Sequence, residues 1–163
     1  MKTRSALVVA VLALTASVCR AEVLAKLSLD DAASATPKIV ADAQIKAEGQ
    51  SSLKITVQWP TTICLGEITA PDVENAKLVY SAKVKTDLAG SAFLEMWVEV
   101  GGGQYFSRDM NHAVGQKTDW QAVQTPFLLQ PGQKPGKVTL NLVVNGKGTV
   151  WIDDVVLSKE PLN

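Results

Sequence analysis

Two adjacent aspartates, Asp153 and Asp154, lie near the end of the chain in the stretch GTVWIDDVVL, residues 148–157. The stretch has the composition of a β-strand, in which neighbouring side chains point to opposite faces. Strict alternation puts Asp153 on the same face as Val155 and Leu157, so we expect its carboxylate to turn toward the core. A buried carboxylate without a partner costs roughly several kcal/mol.

Three arrangements remain open for this carboxylate. Asp153 caps neighbouring backbone amides or meets a lysine, it binds a hard cation through oxygen, or the strand end is exposed and the pair of acids is solvated. We favour the cation and predict a structural Ca²⁺, which takes several oxygen ligands from more than one segment. Further oxygen ligands could come from Glu48 and from Asp30 or Asp31. The predicted calcium ligands are Asp153, Glu48 and Asp30.

A second set of residues has the chemistry of sugar recognition, in which flat aromatic rings stack on pyranose rings beside planar hydrogen-bonding side chains. On the predicted strand 92–100, alternate residues face away from the core. If neighbouring strands join this strand in one sheet, their polar and aromatic side chains line a polysaccharide-binding face. The predicted ligand-binding residues are Trp97, Glu95, Glu99, Tyr105, Arg108 and Asn141, with Phe106 as the alternative to Tyr105.

The alternative for the same residues is structural. In that arrangement Trp97 packs under a loop, and Glu95 pairs across strands with Lys83 or Arg108. Hydrolysis is not predicted, because Glu95 and Glu99 lie about 13 Å apart at ordinary strand rise, wider than the carboxylate pairs of glycoside hydrolases. We therefore predict a protein that is not an enzyme.

The elements that must position these residues are strands. Short runs with alternating hydrophobic residues recur along the chain, separated by clusters of Gly, Pro, Asp and Asn. Asn145-Gly146-Lys147-Gly148 is predicted to be a hairpin turn, because Asn-Gly tolerates positive φ at both central positions. The predicted fold is an all-β, antiparallel, two-sheet β-sandwich of jelly-roll type. Its strongest predicted strands are 52–57, 77–85, 92–100, 137–145 and 149–157, and weaker ones lie at 24–29, 62–68, 104–108 and 120–128.

The first 21 residues have the pattern of a signal peptide. Lys2 and Arg4 precede an apolar run over 6–16, and Cys19-Arg20-Ala21 then supplies small residues at the −3 and −1 positions. The apolar run is too short to span a bilayer. We predict cleavage near Ala21 and a secreted or periplasmic protein with no membrane insertion.

Residues 22–163 are predicted to form a single domain. Cleavage would remove three of the 16 Lys and Arg residues and none of the 16 Asp and Glu residues, so the remaining chain carries a net charge of about −3, which argues against nucleic acid as a partner. Cys64 is then the one cysteine left, and nothing around it or His112 resembles a protease signature. We expect a monomer, although a dimer through Cys64 stays open.

Three stretches carry a resemblance to a known family. They are Val150–Leu157 (VWIDDVVL), Glu48–Ile55 (EGQSSLKI) and Ala76–Lys85 (AKLVYSAKVK). Together they resemble the secreted jelly-roll carbohydrate-binding modules, galactose-binding-like β-sandwiches of the cellulose- and xylan-binding group found beside bacterial glycoside hydrolases. The resemblance implies a non-catalytic module that binds a polysaccharide and holds a structural calcium, with Asp153 and Glu48 among its ligands. The alternative is a structural or protein-interaction domain of the cell envelope with no sugar ligand.

Overall fold

The chain forms antiparallel β-strands in a computed structural model that describes residues 21–29 and 37–162. The described residues contain no helix, and therefore no helix that is long and apolar enough to cross a membrane. The predicted all-β jelly-roll class is confirmed, while the signal peptide lies outside the described residues. The strands are β1 (Glu22–Lys26), β2 (Lys38–Asp42), β3 (Ser52–Val57), β4 (Thr61–Thr69), β5 (Ala76–Val100), β6 (Gly103–Arg108), β7 (Val114–Lys117), β8 (Gln121–Leu129) and β9 (Pro135–Pro161).

Two long strands organise the fold. β5 and β9 span 25 and 27 residues and pair along nearly their whole length. The C-terminal half of β5 and the N-terminal half of β9 pair with β6 and β4, which gives a first layer in the order β4-β9-β5-β6. The other halves pair with β8, β3 and β1, and β2 follows β3, which gives a second layer. Their inner faces share one hydrophobic core, including Ile55, Leu78, Leu94, Met96, Leu140 and Ile152.

Glycines lie where the long strands pass from one layer to the other. Gly90 faces Gly146 across the β5–β9 ladder, and both have positive φ, at 141° and 147°. A Cβ atom on Gly146 would lie 2.2 Å from the carbonyl oxygen of Ala89, so a side chain cannot fit there. The hairpin turn predicted at 145–148 is wrong, because these residues form a bend inside β9 rather than a reversal of the chain.

A β-bulge at Asp154 explains why two aspartates stand side by side. Asp154 has φ +50°, a conformation that Asp tolerates better than most residues. Between the two flanking residue pairs of the ladder, β9 has two residues and β5 has one. The inward–outward alternation of β9 therefore shifts by one residue at this point. Ile152 and Val155 therefore both face the core, and Asp153 points outward with Trp151. The predicted inward orientation of Asp153, on the face of Val155, is wrong for this reason.

Tyr80 lies in the centre of the core with a hydroxyl that has no hydrogen-bond partner among the described residues. Burial raises the pKa of Tyr80 far above its ordinary value. An unpaired buried hydroxyl opposes folding, since the group loses its hydrogen bonds to water without replacement.

We expect Tyr80→Phe to stabilise the protein by about 1 kcal/mol, because it removes that hydroxyl and keeps the ring. Urea unfolding measures the effect, and Tyr105→Phe is the control, since Tyr105 is exposed and its hydroxyl can bond water. A Tyr80→Phe midpoint below that of the wild type would contradict the expectation.

Candidate functional site

The outer face of the first layer gathers the residues predicted to bind sugar. Glu95 lies opposite Arg108 on β6 and Asn141 on β9, and Trp97 lies opposite Phe106. Directly opposed residues of neighbouring strands project from the same face. These five residues, Glu95, Trp97, Phe106, Arg108 and Asn141, are called the Trp97 face below.

Glu95 is the centre of the hydrogen-bond network on this face. Only 7% of the residue is exposed, yet its carboxylate meets three donors. Oε1 accepts hydrogen bonds from Trp97 Nε1 at 2.7 Å and from Asn141 Nδ2 at 3.3 Å. Oε2 pairs with Arg108 Nη2 at 2.9 Å. These contacts satisfy a charge that would otherwise be costly to bury, and they hold the indole and the guanidinium in fixed orientations.

An aromatic pair forms the exposed part of the face. The rings of Trp97 and Phe106 have centroids 5.0 Å apart at an interplanar angle of 50°, and the guanidinium carbon of Arg108 lies 4.2 Å from the centroid of Phe106. Phe106 is 49% exposed. The indole N–H already donates to Glu95, so a ligand would meet the aromatic rings rather than that donor.

Tyr105 is not on the Trp97 face. It lies opposite Val98, a core residue, and alternation along β6 therefore sends its side chain to the other side of the strand. Phe106, the alternative considered for this position, takes the place beside Trp97. The sequence signal that distinguishes them is the turn at Gly101 and Gly102, which sets the β5–β6 register.

Glu99 lies at the end of the same outer face and is engaged with a lysine. Lys137 Nζ lies 3.1 Å from Glu99 Oε1 and 3.4 Å from Glu67 Oε1. Hydrogen bonding to Glu99 and then to Glu67 raises the pKa of Lys137. Glu99 is thus neutralised locally, while Lys83, one of the two cations considered for Glu95, pairs with Glu48 instead.

The predicted calcium ligand Asp153 accepts hydrogen bonds from backbone amides. Its Oδ2 accepts from the N–H groups of Ala47 at 2.8 Å and Glu48 at 2.9 Å, and its Oδ1 accepts from Asp154 N at 2.7 Å. The structure thus shows the amide-capping arrangement, with the residue 8% exposed. Asp153 ties the loop over residues 43–51 to the outer surface of β9.

Lysine ammonium groups meet the other carboxylates nearby. Glu48 pairs with Lys83, and Asp154 Oδ1 lies 2.8 Å from Lys26 Nζ. These hydrogen bonds raise the pKa of both lysines. Within 21–29 and 37–162 no three His, Cys, Asp or Glu side chains are grouped to hold a metal. The described residues alone therefore do not fit a calcium site, and the third predicted ligand, Asp30, lies outside them.

Asp42 fixes the start of the same loop. Its Oδ1 accepts from the backbone N–H groups of Gln44 at 3.0 Å and Ile45 at 3.1 Å, and its Oδ2 accepts from Trp151 Nε1 at 3.0 Å. The indole hydrogen bond, followed by the backbone hydrogen bonds, lowers the pKa of Asp42 below its ordinary value of 3.8.

We expect the loop contacts of Asp42 to weaken in acid. A carboxylate whose pKa is lower in the folded state stabilises the protein above its unfolded-state pKa, and that contribution is lost as the pH falls through its folded-state pKa. The difference in unfolding free energy between wild type and Asp42→Asn should therefore be largest above about pH 5 and shrink toward pH 3. Chemical unfolding across this range measures it, and a difference equal at pH 6 and pH 3 would contradict the assignment.

Cys64 and His112 are not arranged as a nucleophile and base. Cys64 lies on β4 and His112 follows β6, so they belong to opposite edges of the first layer with β9 and β5 between them. The His112 imidazole Nδ1 instead contacts Asp109 Oδ2 at 2.7 Å.

Comparison with known proteins finds similar structures but no match by sequence. No protein-family model matches the sequence, and no curated protein matches it. The CBM22-1 xylan-binding domain of Paenibacillus barcinonensis Xyn10C matches with a TM-score of 0.58 and 17% identity, over 88% of this chain and 97% of that domain. The CBM22-1–CBM22-2 tandem of the same protein matches with a TM-score of 0.61 and 15% identity, over 90% of this chain and 47% of the tandem.

The enzymatically active domain of the bacteriophage CBA120 tailspike protein 4 also matches, with a TM-score of 0.55 and 9% identity, over 74% of this chain. This chain spans only 17% of that tailspike chain. At such identities the likeness shows the fold alone. The chain has the jelly-roll fold of carbohydrate-binding modules, as the three sequence stretches indicated.

Proposed function

We propose that this protein is a non-catalytic carbohydrate-binding protein whose Trp97 face binds a polysaccharide. The observation that carries the proposal is the Trp97–Phe106 pair, with one ring half exposed, held beside Arg108 and Asn141 by the Glu95 carboxylate. The fold supports it, since two of the similar structures are described as xylan-binding.

The geometry suggests how a sugar would bind. The exposed part of Phe106, which packs against Trp97 and the guanidinium of Arg108, offers an apolar surface to the flat side of a pyranose. One terminal nitrogen of Arg108 pairs with Glu95, and the other N–H groups of the guanidinium remain for sugar hydroxyls. The network is preassembled, so binding would order few side chains.

Affinity electrophoresis tests this function directly. Native gels containing soluble xylan, hydroxyethyl cellulose, mixed-linkage β-glucan or pectin should retard the protein in at least one case. Migration unchanged by all four would contradict the proposal. A stable protein partner recovered from envelope extract, together with no retardation, would favour the alternative of an envelope interaction domain.

We also propose that the protein is exported, on the strength of the n-region, apolar run and Cys19-Arg20-Ala21 at its start. Cell fractionation followed by N-terminal sequencing tests this. Mature protein in the periplasm or medium that begins at Glu22 would support export, and full-length protein in the cytosol would contradict it.

A structural calcium bound by Asp153, Glu48 and Asp30 stays a proposal, supported by the acidic residues and the family resemblance. Thermal unfolding of EDTA-treated protein, with and without added CaCl₂, tests it independently of sugar binding. A rise in Tm of several degrees that EDTA reverses would support the site. An unchanged Tm would leave amide capping as the role of Asp153.

A further inference from the structure

Trp59, in the turn between β3 and β4, exposes its side chain without an evident structural task. The residue is 63% exposed, more than any other aromatic residue in the described part of the chain. The turn is held by Thr61 Oγ1, which donates to the backbone carbonyl oxygen of Trp59 at 2.9 Å, so the indole is not needed to form it. A single exposed apolar side chain is common on protein surfaces, so the indole indicates binding only together with what lies beside it.

A groove lies directly beside the indole. It has a volume of about 480 Å³ and is lined by residues that carry an indole, an amide, two hydroxyls and an ammonium group. A flat apolar side chain beside a few polar groups is the combination of residues that a sugar ring requires. The lining residues are Pro37, Lys38, Thr56, Val57, Gln58, Trp59 and Thr61.

The groove is separate from the Trp97 face. Thr61 lies opposite Val144 on β9, whereas Trp97 lies opposite Thr139. Five residues along a strand correspond to about 17 Å, and Trp59 lies beyond the start of β4. One pyranose ring therefore cannot contact both aromatic groups.

We propose that Trp59 and its groove form a second carbohydrate-binding site, so that one molecule cross-links two polysaccharide chains. The inference rests on the proposed function of the Trp97 face and adds a site with a different position.

Light scattering and affinity electrophoresis with the same soluble polysaccharide separate the two sites. The polysaccharide is one that retards the wild-type protein. Mixed with it, the wild type should raise the scattering intensity, with a maximum at an intermediate ratio of protein to polysaccharide. Trp59→Ala should keep at least a third of the wild-type affinity in the gel and lose at least 80% of the scattering increase. The control is Leu128→Ala, another exposed apolar residue, which should behave as the wild type in both assays.

The outcomes distinguish the two proposals. Retardation of the wild type together with equal scattering by wild type and Trp59→Ala would overturn the second site and leave the first intact. Retardation of the wild type without any increase in its scattering intensity would overturn the proposal that the protein cross-links polysaccharide chains. Absence of retardation by every polysaccharide would overturn the proposed function and with it this inference.

Discussion

Asp153→Asn is expected to lower the free energy of unfolding by about 2–4 kcal/mol. The carboxylate accepts three backbone N–H groups, two of them from a loop over a hundred residues away in sequence. An amide side chain keeps one acceptor and turns its own N–H₂ toward backbone donors, which leaves at least one part-buried N–H unpaired. Hydrogen bonds to a charged acceptor contribute about 1.5–3 kcal/mol, and an unsatisfied buried group adds to the loss.

The neighbouring aspartate provides the matched control. Asp154→Asn makes the same chemical change one residue away, at a side chain that is more exposed and pairs with the exposed Lys26. Asn tolerates the positive φ of this position as Asp does, and an exposed ion pair contributes little to stability because water and salt screen it. Urea unfolding in EDTA measures both variants. Equal destabilisation by the two substitutions would contradict the role assigned to Asp153.

The adjacent aspartates Asp153 and Asp154 also show where prediction from the sequence alone fails. A strict period of two placed Asp153 inside, yet the structure inserts a bulge at Asp154 that reverses the assignment. The sequence does hold a sign of it, since Ile152, Val155 and Leu157 cannot all share a face without one extra residue between them. The favoured partner was a cation, and the backbone amides that the structure shows were the alternative; the inward side of the sheet was wrong.

The two long strands illustrate a second limit. The inward positions of 77–85, 92–100 and 137–145, such as Tyr80, Met96 and Leu142, were predicted and are confirmed as core. Their continuity was not predicted, because Gly90 and Gly146 look like turn residues when each is read alone. Facing each other across the ladder, they allow a bend instead. That pairing depends on contacts distant in sequence.

The Trp97 face was largely predictable because it depends on local alternation. Glu95, Trp97, Arg108 and Asn141 were expected on one surface, and the structure brings them together. The choice between Tyr105 and Phe106 required the register of β6, which the two-residue glycine turn determines. The hydrogen bond from Trp97 to Glu95 could not be predicted, since residues two apart on a strand meet only in particular rotamers.

Removing the Phe106 ring should strongly weaken sugar binding. We expect Phe106→Ala to weaken polysaccharide affinity by about tenfold or more, because losing an aromatic anchor costs on the order of 1–3 kcal/mol. Phe106 is half exposed on an edge strand, so the substitution should leave the fold intact, which circular dichroism and Tm would verify. Trp97→Ala should reduce affinity at least as much, although it also removes a donor from Glu95.

The matched pair Phe106→Ala and Tyr105→Ala, compared by affinity electrophoresis on one retarding polysaccharide, tests the central claim most directly. The two residues are adjacent in sequence and similarly exposed, at 49% and 54%, but they project from opposite sides of β6. The account predicts that Phe106→Ala loses most of its retardation while Tyr105→Ala migrates as the wild type. Loss of binding in Tyr105→Ala with full retention in Phe106→Ala would contradict it.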